Sequence, residues 1–168
     1  MYSQFFNNEA SANIRSLLSK EVCEVLLKIG CFADKKSLRV FAVGGFVRDL
    51  ILNKANFDID IVVEGDAKSF VTELASEFNA EFKIFDRFHT AKIYSEKINF
   101  DFSSSRKETY KCPGALPEVT FSNIYDDLFR RDFTINAMAL SLNSDNLFKI
   151  VDYFGGIKDL EASVIKVM

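Results

Sequence analysis

Tryptophan is missing from this 168-residue chain and histidine occurs once. No apolar run approaches the ~20 residues that a membrane-spanning helix needs. His89 has no second histidine to share a metal or a proton relay. It flanks a turn into a strand, and a structural role is expected. Cysteine is sparse: Cys23, Cys31 and Cys112 are an odd number without Cys-x-x-Cys spacing. Neither a zinc knuckle nor a disulfide framework follows from them, and reduced thiols in a cytoplasmic protein are expected. The N-terminus lacks both the basic flank and the apolar core of a signal peptide. An excess of basic charge is missing too, with 21 Lys and Arg against 24 Asp and Glu and a formal charge of −3. An RNA partner would therefore meet a local basic surface, or one supplied by further chain, rather than a wholly basic protein.

What is present suits a globular domain. Hydrophobic residues make up 48% and charged residues 27%, enough for one domain with a real core. Most of the 18 phenylalanines are expected in that core. The stretch from Arg39 to Glu64 organises the rest, reading as strand, glycine turn, short helix, loop and strand. Val40–Val43 is an apolar run that stops at Gly44-Gly45, as a buried strand entering a tight turn does. Adjacent glycines let the backbone approach a bulky ligand and leave amide N–H groups to face an anion. The following helix directs its N-terminus to the same place, and Arg48 lies one turn in as a forked cation. Together these read as a phosphate cradle.

In Phe57-Asp58-Ile59-Asp60-Ile61 the alternation places Asp58 and Asp60 on one strand face, ~6–7 Å apart along the strand. Such a pair suits hard cations such as Mg²⁺. Beside a phosphate cradle it describes the protein half of a two-metal phosphoryl or nucleotidyl transfer site. In Ile98-Asn99-Phe100-Asp101-Phe102-Ser103, Asp101 falls on the polar face of a strand-like run and is the candidate third carboxylate, the plain alternative being an exposed aspartate at a sheet edge.

The remaining chain is expected to scaffold that site. Residues 1–10 read as a lead-in. Ile14, Leu17, Leu18, Val22, Val25, Leu26 and Ile29 recur at helical spacing from Ser11 to a stop at Gly30. Asp66 caps a second helix whose Phe70, Val71, Leu74, Ala75 and Phe78 face inward. Strand-like runs follow at Glu81–Phe85 and Thr90–Tyr94. From Arg106 to Pro117 the composition, with Pro113-Gly114, reads as a mobile polar loop. The Asp126–Leu140 stretch reads as helical turns in which Asp127, four residues before Arg131, pairs with it across one turn. Phe148–Asp152 reads as an edge strand. Gly155-Gly156 lacks a following cation and is read as structural.

Three stretches share one resemblance. They are Gly44-Gly45-Phe46-Val47-Arg48-Asp49 with Asp58-Ile59-Asp60, then Asp127-Leu128-Phe129-Arg130-Arg131-Asp132-Phe133-Thr134-Ile135-Asn136-Ala137-Met138-Ala139, and Asp152 to Leu160. They resemble the head domain of the tRNA nucleotidyltransferase/poly(A) polymerase family, within the polymerase-β-like nucleotidyltransferases. Tyr153 stands where that family usually has proline. The resemblance covers nearly all of residues 39–168.

The resemblance implies an α/β (α+β) fold with a mixed, mostly antiparallel sheet of about five to seven strands and helices mainly on one face. It implies addition of CMP or AMP, from CTP or ATP, to an RNA (tRNA) 3′ end with two Mg²⁺ ions. Metal and catalysis would fall to Asp58, Asp60 and Asp101, and nucleotide binding to Gly44, Gly45, Arg48, Arg131, Asp132 and Asn136. Arg106, Glu108 and Tyr110 follow, loosely, a family segment leading into a flexible loop. The expected division is a lead-in and helix over 1–36, the head over 37–162 and the start of a neck over 163–168. The family's Glu-Asp-x-x-Arg element, which selects the base, and its helical body have no counterpart in these residues. A-only addition and poly(A) tailing remain open as alternatives, as does a non-catalytic nucleotide- or RNA-binding module.

Overall fold

The computed structural model describes residues 10–78, 81–85, 90–94, 98–109, 112 and 118–168. The helices α1 (Ala10–Leu17) and α2 (Lys20–Lys35) precede strand β1 (Arg39–Val43), helix α3 (Gly45–Ile51) and strand β2 (Asp58–Glu64). Helix α4 (Ala67–Phe78), strands β3 (Phe82–Phe85), β4 (Thr90–Tyr94) and β5 (Asn99–Ser104), and a ribbon of β6 (Arg106–Thr109) with β7 (Glu118–Phe121) come next. Helix α5 (Ile124–Phe129), strands β8 (Ala139–Ser141) and β9 (Ile150–Val151), and helix α6 (Gly156–Glu161) complete the order.

Seven strands form one sheet in the order β3-β4-β5-β2-β1-β8-β9. Only β2 and β5 pair in parallel, so the sheet is mixed and mostly antiparallel as expected. One sheet face, carrying Val40, Ala42, Ile59, Ile61, Val63, Phe100 and Phe102, is packed by α1–α4 into the main core. On the other face Phe41, Val43, Val62 and Ala139 form a smaller core with Ile124 and Leu128 of α5. Helices therefore lie mainly on one face, with α5 the exception over β1.

Several local expectations change. The helix expected from Ser11 to Gly30 is two helices. Ser19 caps the second, accepting from the Val22 N–H at 3.2 Å, and α2 runs through Gly30 to Lys35. Gly30 is not a stop. A Cβ there would lie 1.9 Å from the Leu142 carbonyl oxygen, so glycine lets the helix press against the chain after β8. Phe78 is 40% exposed rather than inward. The polar loop expected from Arg106 is a strand over Arg106–Thr109, paired with Glu118–Phe121. His89, Tyr110 and the Pro113-Gly114 turn lie outside the described residues. No helix among the described residues is long and apolar enough to cross a membrane.

Candidate active site

Gly44 has φ 71°, the left-handed region that favours glycine. A Cβ at this position would lie 2.8 Å from Nη1 of Arg131 and 3.8 Å from Oδ2 of Asp60. The missing side chain is what lets Arg131, arriving from beyond α5, reach the end of β1 beside the β2 carboxylate. The expected pair of free glycine amides is corrected here: the Gly44 N–H donates to the Met138 carbonyl at 3.2 Å. Gly44 thus serves by its absent side chain more than by its amide.

Pairing places the carboxylates. Asp60 is in register with Val43 of β1 and with Asp101 of β5, so Asp58, Asp60 and Asp101 share the sheet face opposite the main core. Asp101 in turn faces Lys92 of β4, whose Nζ is 2.9 Å from Oδ2. Partial loss of water, then the charges of Asp101 and Asp58, push the Asp60 pKa above the usual carboxylate range, with Arg131 and Lys92 pulling the other way. Loss of water is the larger cause, and the neighbouring carboxylates add to it.

Two polar chains hold this arrangement. In the first, Arg48 donates from Nη1 to Asn136 at 2.8 Å and from Nε to Asp49 at 2.8 Å. Asn56 donates to the other Asp49 oxygen and accepts from the Asp58 N–H. Arg48 and Asn136, both assigned to the nucleotide, are thus brought together and bonded to each other, forming a wall beside Gly45. In the second, Asp127 has no exposed side-chain surface and holds Arg130 at 2.8 Å and Arg131 at 3.3 Å. Arg130 also lies 3.6 Å from Glu108, which pairs with Arg106 at 3.0 Å. Nε of Arg131 is buried without a hydrogen-bond partner. That costs about 1–3 kcal/mol, which an incoming acceptor would relieve.

The Asp132 side chain is exposed, and its carbonyl accepts from the Met168 N–H at 3.1 Å. Asp49, Asn56 and Lys92 were not singled out by sequence reasoning. The alternation of Thr90-Ala91-Lys92-Ile93-Tyr94 places Lys92 on a polar face, but nothing local says which strand lies beside it. Among the described residues no group of three or more His, Cys, Asp or Glu is clustered around a single metal position. The donor chemistry still fits a hard divalent cation. Three carboxylates share one face, and the raised Asp60 pKa, due first to loss of water and then to the charges of Asp101 and Asp58, marks a position where a divalent cation would favour the ionised form.

Over residues 40–166 the sequence matches the poly A polymerase head domain family. The chain belongs to this family. An A-adding tRNA nucleotidyltransferase of Aquifex aeolicus (strain VF5) is 45% identical over 131 residues, which is 78% of this chain and 16% of that protein. A solved CCA-adding enzyme in apo form II superposes with a TM-score of 0.85 at 38% identity, over 90% of this chain and 36% of that one. A tRNA nucleotidyltransferase complexed with a primer tRNA and an incoming ATP analogue superposes with a TM-score of 0.73 at 40% identity, over 83% of this chain and 38% of that one. The poly A polymerase head domain here thus spans well under half the length of each of these proteins.

Proposed function

We propose that this head domain catalyses template-independent transfer of a nucleotide from ATP or CTP to the 3′ end of an RNA, with tRNA as the substrate. One observation carries the reading: Arg131 reaches the bare Cα of Gly44 beside Asp60, which is in register with Asp101, so a guanidinium stands next to a carboxylate face. The RNA 3′-hydroxyl oxygen would bond to the α-phosphorus, its proton passing to solvent. The bond from that phosphorus to the bridging oxygen would break, and pyrophosphate would leave with the electron pair. Arg131 would hold the triphosphate or its sugar, admitted by the bare Cα of Gly44. Arg48, fastened to Asn136, would keep the adjoining wall still. Two Mg²⁺ ions, held by Asp58, Asp60 and Asp101, would supply Lewis acidity toward the hydroxyl and the phosphates. Rate then comes from position and charge, without a covalent enzyme intermediate.

The Aquifex relative is an A-adding enzyme, which favours AMP as the nucleotide transferred. The head is proposed to occupy residues 37–162, with α1 and α2 as its cover. The last six residues would act as a clasp, since Val167 bridges to Phe133. The test is incorporation of labelled ATP and CTP by the full-length protein into tRNA lacking its 3′-terminal nucleotides. Asp58→Ala and Asp60→Ala are each expected to reduce it to background while circular dichroism stays native. Turnover retained in either variant overturns the carboxylate assignment.

A further inference from the structure

The carboxylates lie in a line that continues beyond Asp101. Register partners across the sheet run Asp60–Asp101, Asp101–Lys92 and Lys92–Lys83, from β2 through β5 and β4 to β3. Partners in register share a face, so both lysines stand on the face of the carboxylates. Strand spacing of about 4.8 Å puts Lys83 about 14 Å from Asp60. Phe85, two residues along β3, is on the same face, 37% exposed, with the Lys83 Nζ 5.2 Å from its ring centroid. Ile84, Ala91 and Ile93 point the other way, into the core under α4. Cations directly opposite one another on neighbouring strands destabilise a sheet. Lys92 pairs with Asp101 and Lys83 lies over the Phe85 ring, and neither lysine nor Phe85 belongs to the core beneath.

We propose that this face of β3 and β4 binds the single-stranded 3′ end of the RNA substrate, an inference that rests on the nucleotidyl-transfer reading. In-line displacement requires the attacking and leaving oxygens to approach phosphorus from opposite sides. The leaving pyrophosphate belongs beside Arg131 and Gly44, on the β1 flank of Asp60. That flank is closed farther along by α5, where Ile124 and Leu128 pack on Phe41, Val43 and Val62. The attacking strand therefore enters over the opposite flank, where charge and chemistry suit it. Lys92 receives the phosphate nearest the reacting end, Lys83 the next one out, and Phe85 stacks a base. Cations along the backbone with an aromatic platform are the recurring means of holding single strands without reading sequence. Lys92 is drawn toward Asp101 at 2.9 Å, which keeps its charge at the entrance before RNA arrives.

The experiment uses the full-length protein and tRNA lacking its terminal adenosine, with filter binding in EDTA and in Mg²⁺ over a range of salt. Lys83→Gln/Lys92→Gln is expected to weaken tRNA binding by about tenfold and to make the log–log salt slope shallower by about 1.4. In the single Lys83→Gln variant, two strands from Asp101, ATP affinity stays unchanged. Phe85→Ala weakens tRNA binding by about tenfold with the salt slope unchanged, because stacking releases no counterions. Lys83→Arg/Lys92→Arg restores the slope. If wild type binds tRNA and transfers nucleotide while the double glutamine variant matches it in affinity and slope, this surface is wrong and the transferase reading stands. Loss of ATP and tRNA affinity together in the single Lys83→Gln variant also overturns it. If wild type neither binds tRNA nor transfers nucleotide, both readings fail.

Discussion

At the scale of single residues, Asp127 does more than its place in a helical turn suggests. Its carboxylate is fully enclosed and bonded to Arg130 and Arg131. Those two guanidinium groups have only about a fifth of their side-chain surface in water. Removing the acid would leave two half-buried cations short of a partner. Asp127→Ala is therefore expected to lose about 3 kcal/mol of stability. Asp127→Asn keeps the shape and should lose less. Both should weaken ATP binding, because Arg131 is no longer held against Gly44. Urea denaturation and ATP titration of the two variants check this; unaltered ATP affinity in both would show that Arg131 is held without Asp127. The i,i+4 spacing of Asp127 and Arg131 was visible in the chain. The burial that gives the pair its weight was not.

At the scale of elements, the joints decide more than the helices and strands themselves. Asn143, 3% exposed, follows β8 and ties three segments. Its Oδ1 accepts from the Val40 N–H at 3.0 Å, and its Nδ2 donates to the Leu38 carbonyl and to Asp34, both at 2.8 Å. Asn143→Ala strands a buried N–H and a carbonyl, and about 2–3 kcal/mol should be lost. The denaturation midpoint would fall with an unchanged m value. The hydrogen bond from Asn143 is the main reason the Asp34 pKa lies below its usual value. A depressed carboxylate stabilises the fold above its unfolded pKa of about 3.9, and that contribution is lost as pH falls through the folded value. The stability gap between wild type and Asn143→Ala should therefore narrow below about pH 4. A gap constant with pH would remove Asp34 from the account.

At the scale of the whole molecule, the sheet divides its labour between two faces. Helices α1–α4 pack the main core on one face, while among the described residues α5 covers the other over β1 and Val62 of β2 and leaves Asp58, Asp60 and Asp101 on a polar surface. Function on that surface opposes stability there. The folded-state pKa of Asp60 is raised, first by loss of water and then by the charges of Asp101 and Asp58. A group of that kind contributes stability that is fully present below its unfolded pKa and is lost as pH rises through the folded value. At pH 7 the ionised Asp60 is thus a net burden on the free protein. Asp60→Asn should melt at a higher temperature than wild type at pH 7 without added divalent metal, with the difference closing as pH approaches about 4. Excess Mg²⁺ should raise the melting temperature of wild type more than that of the variant. A lower melting temperature for Asp60→Asn at pH 7 would contradict the electrostatic account.

Local pattern was enough for much of this protein. Alternation in Asp58–Ile61 and in Asn99–Phe102 assigned each side chain to a face, because strand geometry has a period of two wherever the strand lies. The Gly44-Gly45 stop and the Asp127–Ala139 run were legible because their chemistry is contiguous in the chain. Other features depend on contacts between distant segments. Gly30 could be recognised as a close contact rather than a helix stop only once Leu142 lay against it. The commitment of the Gly44 amide to Met138 and the chain from Asn136 through Arg48, Asp49 and Asn56 to Asp58 belong to the assembled fold. So does the line from Asp60 to Lys83, which strand order alone brings together. A sequence states which way a side chain points from its own strand. Which strand stands next to it is decided by burying the whole core at once.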